Sequence, residues 1–355
     1  MDNHFENINS AAAGSKTRRI SCREALREAL REEMLRDDKV ILLGEDIGRY
    51  GGGFSVTSGL LDEFGSGRVL ETPISETAYV GAAIGAAVTG MRPVVELMFS
   101  DFMGVCWDQI MNEAAKMHFM YGGRIHVPMV IRTAAGAGTG AAAQHSQSLE
   151  TMYCHVPGLK VVVPSTPADA KGLLKTAIRD ENPVIFLEQK LLYDTEGEVP
   201  EGEYLIPLGK AALRRTGSDL TIITYGRMVQ LCEEAAKTLQ QEGISAEILD
   251  LRSLSPLDKD AVAASVSRTG RALIVHESVQ FAGFGAEISA AIMESPAFYR
   301  LKAPVRRLGA AFCPIPSSPV LEADVLPSAA TIAEAARALM QTFSGQTADS
   351  ITQKG

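Results

Sequence analysis

Short apolar runs alternate with amphipathic stretches over most of this chain, and that alternation admits few folds. VILLGED (40–46), PVVELM (93–98), VPMVIR (127–132), LKVVV (159–163) and PVIFL (183–187) have strand length and strand composition. Between them, Ser21 and Glu24 make a capping box for an amphipathic helix that ends near Asp37–Asp38. Asp101–Tyr121 reads as a long helix and Pro167–Arg179 as another. Strands 220–224, 246–251 and 272–276 alternate with helices over 229–241, near 258–267, over 285–293 and over 332–339. Strand–helix alternation predicts an α/β fold with doubly wound, mainly parallel sheets. At 355 residues the chain has room for two cores. We place one domain at 20–190 and a second at 205–340, joined by a polar linker at 191–204. Residues 1–19 read as a disordered leader and 341–355 as a flexible tail.

Composition narrows the function. A net charge of −9 argues against nucleic acid or an anionic membrane as partner, since either favours a basic face. No apolar run reaches the roughly eighteen residues of a membrane span. The leader carries Asp2 and Glu6 and lacks an apolar signal core. Five scattered cysteines without CxxC or zinc spacing suggest reduced, mostly buried thiols in a cytoplasmic protein.

Ligands on doubly wound sheets bind beyond the carboxyl ends of strands. GED (44–46), SDF (100–102) and a Gly/Ala loop (134–143) followed by Gln144, His145 and Ser146 all fall at such ends. So does LETPISETAYVGAAIGAAV (70–88). There Pro73 delays a helix that Ser75 is placed to cap, and small residues allow another backbone or a flat ligand to approach closely. Glu76 lies at the mouth of that helix. Taken alone, it reads first as a first-turn acid favoured by the helix dipole. The Gly/Ala loop matches neither Walker nor dinucleotide spacing, and alone it is equally a surface loop. The histidines lack mutual ligand spacing, so no transition metal is assigned. Cys154 and His155 are neighbours in sequence, which does not make a nucleophile–base pair.

Taken in order, TPISE (72–76), GAAIGAAVTGMRPVVELMF (81–99), DQIMNEAAK (108–116), AAAQHSQS (141–148), PGLKVVVPSTPADAKGLL (157–174) and AIRDENPVIFLE (177–188) carry a resemblance. From about Ile20 to Leu339 the chain resembles the beta subunit of the thiamine-diphosphate-dependent dehydrogenase component of 2-oxo-acid and acetoin dehydrogenase complexes. ELMFSDF, KLLYDTEGEVPEGEY, TYGRMV and LDLRSLSPLD look most like the acetoin dehydrogenase form. The resemblance implies a thiamine-diphosphate-binding domain followed by a transketolase C-terminal-type domain. It implies that Glu76 hydrogen-bonds N1′ of the cofactor's aminopyrimidine, with Ile74 offering a backbone contact and Met98 and Phe102 packing against that ring. His145 matches a histidine suited to acid–base work beside the thiazolium. Glu45 or Asp46 matches an acidic relay. Met129, Ala177, Asp180 and Asn182 match positions whose backbone oxygens hold potassium.

The family's GDG motif for magnesium and diphosphate occurs nowhere in this sequence. The resemblance therefore implies an alpha subunit that holds them, an alpha2-beta2 heterotetramer, and a lipoyl-bearing acyltransferase as acceptor. The expected reaction is cleavage of acetoin and transfer of its two-carbon unit to the lipoyl group. A pyruvate (or other 2-oxo acid) dehydrogenase component is the nearest alternative. A non-catalytic assembly scaffold is the alternative from another class, and the joint presence of Glu76, Phe102 and His145 weighs against it.

Overall fold

The computed structural model describes residues 16–341, and among them the chain divides into two compact units. The first holds residues up to Lys210 together with Arg252–Leu257 and Pro314–Glu322; the second holds the remainder. Both are α/β. In the first unit, β2 (Val40–Gly44), β3 (Val69–Glu71), β4 (Arg92–Phe99), β5 (Val130–Ala135), β6 (Lys160–Val162), β7 (Val184–Gln189) and β12 (Ser253–Ser255) form one sheet among the described residues. Its order is β12-β6-β7-β5-β4-β2-β3, parallel except for β12. From β2 the chain steps outward to β3 and then crosses back to β4 on the other side. The strand order thus reverses between β2 and β4, which opens a crevice at their carboxyl ends.

Two helices cover one face of this sheet. α1 (Cys22–Arg36) has the expected box: Ser21 Oγ accepts from Glu24 N while Glu24 accepts from Ser21 N. Its Leu26, Leu30 and Met34 are buried in one core with Leu173, Leu174 and Ile178 of α3 (Pro167–Arg179) and with Leu42, Val94, Val130 and Phe186. Each fully buried leucine contributes about 1.5–3 kcal/mol. α2 (Glu76–Val88) buries Val80, Ala83, Ile84 and Ala87. In the second unit, β10 (Leu220–Thr224), β11 (Ala246–Asp250), β13 (Ala272–Val279) and β14 (Arg306–Ala310) are parallel neighbours. β9 (Ala212–Arg215) is added antiparallel to β11.

Three expectations are corrected. Residues 17–19 and part of the linker are not irregular: β1 (Thr17–Ser21) pairs antiparallel with β8 (Glu196–Pro200). The side chains there are largely exposed and polar, so no apolar alternation marks the strands. The first domain also does not end at 190, because it regains Arg252–Leu257, whose β12 joins the sheet edge through β6. The rest of the expected leader and tail, 1–15 and 342–355, lies outside the described residues. Finally, the long helix over 101–121 is broken. It becomes a 3₁₀ turn (Ser100–Gly104), a π turn (Gln109–Ala114) and a short α turn (Met117–Met120). Gly104 weakens a continuous helix, and π turns gather at functional sites.

At the carboxyl side of this core, the sheet buries a charge cluster. Arg132, 2% exposed, forks onto Glu188 at 2.7 and 2.8 Å and reaches Glu96 with its other nitrogen at 2.8 Å. The Tyr193 hydroxyl donates to Glu188 at 2.8 Å. Burial opposes the guanidinium charge, but Glu188 and Glu96 outweigh it and hold the Arg132 pKa above its ordinary value. Burial pushes the Glu188 carboxyl up, with Arg132 pulling the other way; the bidentate geometry is that of an ion pair. Removing one member of such a cluster leaves an uncompensated buried charge. We expect Arg132→Met to lower the unfolding free energy by about 3–5 kcal/mol in urea titrations. A loss under about 1 kcal/mol would show that the two carboxylates do not depend on it.

Candidate active site

Four strand ends build the crevice. β2 delivers Glu45 and Asp46, β3 leads into α2 and Glu76, β4 delivers Met98, Phe99 and Phe102, and the loop after β5 carries His145. After β2 the backbone turns sharply, with Gly52 N donating to Asp46 O at 2.8 Å. Gly52 has φ +83°, and a Cβ there would sit 2.3 Å from Glu96 Oε1, so only glycine fits. Gly53 packs against Met98, with a Cβ there 2.6 Å from the Met98 sulfur. The buried charge cluster therefore shapes the crevice wall through Glu96.

Glu76 is the first residue of α2 and is 8% exposed. Ser75 occupies the cap position, as its place in the sequence predicts, but it does not cap. Its φ and ψ of −169° and 65° turn the hydroxyl to Pro73 O at 3.1 Å. The helix start is fastened instead by Thr77, whose hydroxyl donates to Val105 O at 2.8 Å. That bond ties Glu76's helix to the segment following Phe102. Ile74 leaves its side chain 82% exposed, so it adds only backbone to the crevice.

Beyond the ends of β4 and β5 stands an aromatic cluster. The Phe99 and His145 rings meet edge-on with centroids 4.7 Å apart. Phe102 meets His145 at 5.3 Å and Phe99 at 5.6 Å, also edge-on. His145 closes a turn, its N–H donating to Ala142 O at 3.3 Å, with Ala142 at φ +63°. Further back in the loop, Gly138 and Gly140 donate to the two oxygens of buried Glu322 at 2.7 and 3.0 Å. Asp101 accepts from the Gln147 side chain at 2.8 Å. The Gly/Ala loop, open in sequence to a phosphate-cradle reading, has amides already taken by this chain's own carboxylate.

Beneath Glu76 lies a second acid. Glu45 is 7% exposed, and burial first, then the Glu76 charge, push its carboxyl above the ordinary range. The Tyr79 hydroxyl, one helical turn after Glu76, is buried beside it, and neither it nor Glu45 Oε1 has a hydrogen bond of standard geometry. Asp46 has φ +54° and exposes its side chain. Of the two candidates for a relay, Glu45 is the one buried against Glu76. Met129, Ala177, Asp180 and Asn182 lie elsewhere, around the amino ends of β5 and β7 and the end of α3. Met129 O accepts from Val184 N, Ala177 O from Asp180 N, and Asp180 O from Arg92 Nη1.

The comparisons with known proteins fit this geometry. The transketolase pyrimidine-binding domain family matches residues 18–195, and the transketolase C-terminal domain family matches 209–332. The chain is 54% identical over 334 residues to the beta subunit of an acetoin:2,6-dichlorophenolindophenol oxidoreductase from Cupriavidus necator, covering 91% of this chain and 98% of that one. It is 47% identical over 318 residues to the pyruvate dehydrogenase E1 component beta subunit of Rickettsia felis, covering 90% and 97%. The chain belongs to this family of dehydrogenase beta subunits. A split-gene transketolase, solved as an inactive beta4 tetramer, shares its fold at a TM-score of 0.75 and 23% identity, covering 91% of this chain and 99% of that one. Among the described residues of this family member, no helix is long and apolar enough to cross a membrane.

The raised Glu45 pKa has a pH consequence. A carboxyl raised in the fold binds its proton where the unfolded chain has released it. The stability it contributes is therefore lost as pH rises from the ordinary glutamate value, about 4.3, through the raised one. Glu45→Gln removes that loss. We expect its melting temperature to exceed the wild type most near neutral pH, with the gap closing as pH falls towards about 4.3. A gap independent of pH would contradict the assignment.

Proposed function

We propose that this chain is the beta subunit of a thiamine-diphosphate-dependent acetoin dehydrogenase. In this reading, acetoin is cleaved to acetaldehyde and a two-carbon unit that is oxidised onto the lipoyl group of a partner acyltransferase. The observation that carries the substrate is the 54% identity, across nearly the whole chain, to an acetoin oxidoreductase beta subunit. A second reading, a pyruvate dehydrogenase component, is supported by the 47% identity to the Rickettsia felis subunit. Family membership sets the assembly-scaffold reading aside.

The residues suit the pyrimidine half of the cofactor. Glu76 is a buried carboxylate at a helix mouth, and Met98 and Phe102 supply a thioether and a flat aromatic face. Bound thiamine diphosphate supplies the thiazolium carbon at which carbanion chemistry takes place. Glu76 would hold the proton at N1′ and so fix the tautomer of the aminopyrimidine. Ile74 would offer its backbone, and Met98 and Phe102 would flank the ring. Glu45, whose carboxyl burial and the Glu76 charge push above the ordinary range, would pass protons to and from the Glu76 side. His145, set against Phe99 and Phe102, would move protons at the substrate oxygens and at the incoming lipoyl sulfur. Magnesium and the diphosphate fall to an alpha subunit in an alpha2-beta2 heterotetramer, because no GDG occurs here. The backbone oxygens of Met129, Ala177, Asp180 and Asn182 would hold potassium, the Arg92 guanidinium already taking part of Asp180. Each of these carbonyls keeps a second lone pair. We place the assembled enzyme in the cytoplasm.

Reconstitution with the alpha partner tests the substrate. With an artificial electron acceptor, kcat/KM is expected to be higher for acetoin than for pyruvate; equal or higher efficiency with pyruvate would move the chain to the second reading. Glu76 and His145 are separated by the step each serves. Glu76→Gln should slow deuterium exchange at the thiazolium carbon by about 10²–10⁴-fold, the usual contribution of an acid–base group. His145→Ala should keep that exchange and lose acetyl transfer to a free lipoyl domain. Wild-type exchange in Glu76→Gln would sink the role of Glu76.

A further inference from the structure

We infer that Lys190 is the positioning residue for His145, an inference that rests on the reading of His145 given above. Lys190 opens the 3₁₀ turn Lys190–Leu192 directly after β7, at the same sheet edge as the loop after β5. It is 6% exposed, and a buried ammonium is costly unless its charge is met. Lys190 Nζ donates to the backbone carbonyl of His145. The same ammonium stands 5.4 Å from the centroid of the Phe99 ring, within cation–π range.

That ring is the one His145 leans on, edge-on at 4.7 Å. One cation therefore engages both the backbone of the histidine and the aromatic wall against which its imidazole rests. The loop is also fastened upstream, where Gly138 and Gly140 bind Glu322. Glu322 fixes the stem of the loop and Lys190 fixes its tip. What remains to the imidazole is rotation about its own side-chain bonds, and Phe99 and Phe102 restrict that. A catalytic group displaced by about 1 Å commonly loses about 10²-fold in rate. Lys190 is suited to prevent that displacement without touching a substrate.

The test uses the chain assembled with its alpha partner, with Lys190→Met, His145→Ala and the double variant. Lys190→Met keeps an unbranched stem out to the Cε position and removes the ammonium. We expect it to lower kcat for acetyl transfer to a lipoyl domain by about 10- to 100-fold. Thiazolium deuterium exchange and KM for acetoin should stay within about twofold of wild type, a split that general damage to the fold does not produce. In the His145→Ala background the same change should add less than about threefold, because the two residues act as one unit. Wild-type transfer in Lys190→Met, an equal loss of exchange, or full multiplication of the two losses would each overturn the inference. If Lys190→Met does not assemble, Lys190→Gln, which loses the charge but keeps a polar end, is judged by the same criteria. His145→Ala alone separates the two levels. If it transfers acetyl at the wild-type rate, the reading of His145 fails and Lys190 falls with it. If it loses transfer while Lys190→Met does not, only the role of Lys190 is lost.

Discussion

One buried cation holds the working edge of the first unit together. Arg132 lies on β5, directly opposite Glu96 on β4, and grips Glu188 on β7 from two sides. Each of these strands ends in a segment that the site uses: Met98 to Phe102 after β4, His145 after β5, Lys190 after β7. A hydrophobic pair at these positions would be cheaper to bury, since removing two carboxylates from water costs several kcal/mol per ion. What an ion cluster adds is direction. A bidentate guanidinium fixes the rotation of its partners as well as their separation. Glu96 carries that constraint outward by lying against Gly52, and the Gly51–Gly53 turn then meets Met98.

The second constraint is electrostatic and opposite in sign. Glu45 and Glu76 are both buried, close enough for the Glu76 charge to raise the Glu45 carboxyl. A like charge next to a buried carboxyl makes Glu45 hold its proton more tightly than a free glutamate does. Their environment enforces this without any special geometry: the apolar stripe Val80, Ala83 and Ile84 excludes water from the stem of α2, and the Tyr79 hydroxyl sits beside Glu45.

Much of this was legible in the sequence, and what was not has identifiable causes. The alternation of apolar runs and amphipathic stretches gave both sheets, because parallel strands buried on both faces read as continuous hydrophobic runs. Glu76, Met98, Phe102 and His145 were singled out through the resemblance that the ordered motifs carry, and their positions at strand ends follow from topology. β1 and β8 were missed because their pairing is carried by backbone hydrogen bonds between polar segments far apart in sequence. The false helix over 101–121 had adequate helical composition; tertiary demands at the end of β4 overrode it. Ser75 has the right residue type for a cap and the wrong dihedral angles, which no spacing reveals. Lys190 belonged to a motif used only as a family signature. Its partner is a carbonyl 45 residues away, and a backbone atom leaves no trace in sequence pattern.

On the proposed function, the same residues suit the chain to half a cofactor site. A diphosphate and its magnesium need cationic or amide donors and oxygen ligands arranged around phosphate. At this crevice the strand ends present acids, Glu45 and Glu76, and aromatic edges, Phe99 and Phe102. The loop amides that could have faced an anion, those of Gly138 and Gly140, are spent on Glu322. Lys190 donates to the His145 carbonyl and faces the Phe99 ring. Adding a phosphate-binding function here would mean undoing the bonds that hold His145. On the proposed function, dividing the cofactor between two chains removes that conflict: one chain can dedicate its amides to fixing a catalytic loop because another supplies the anion site.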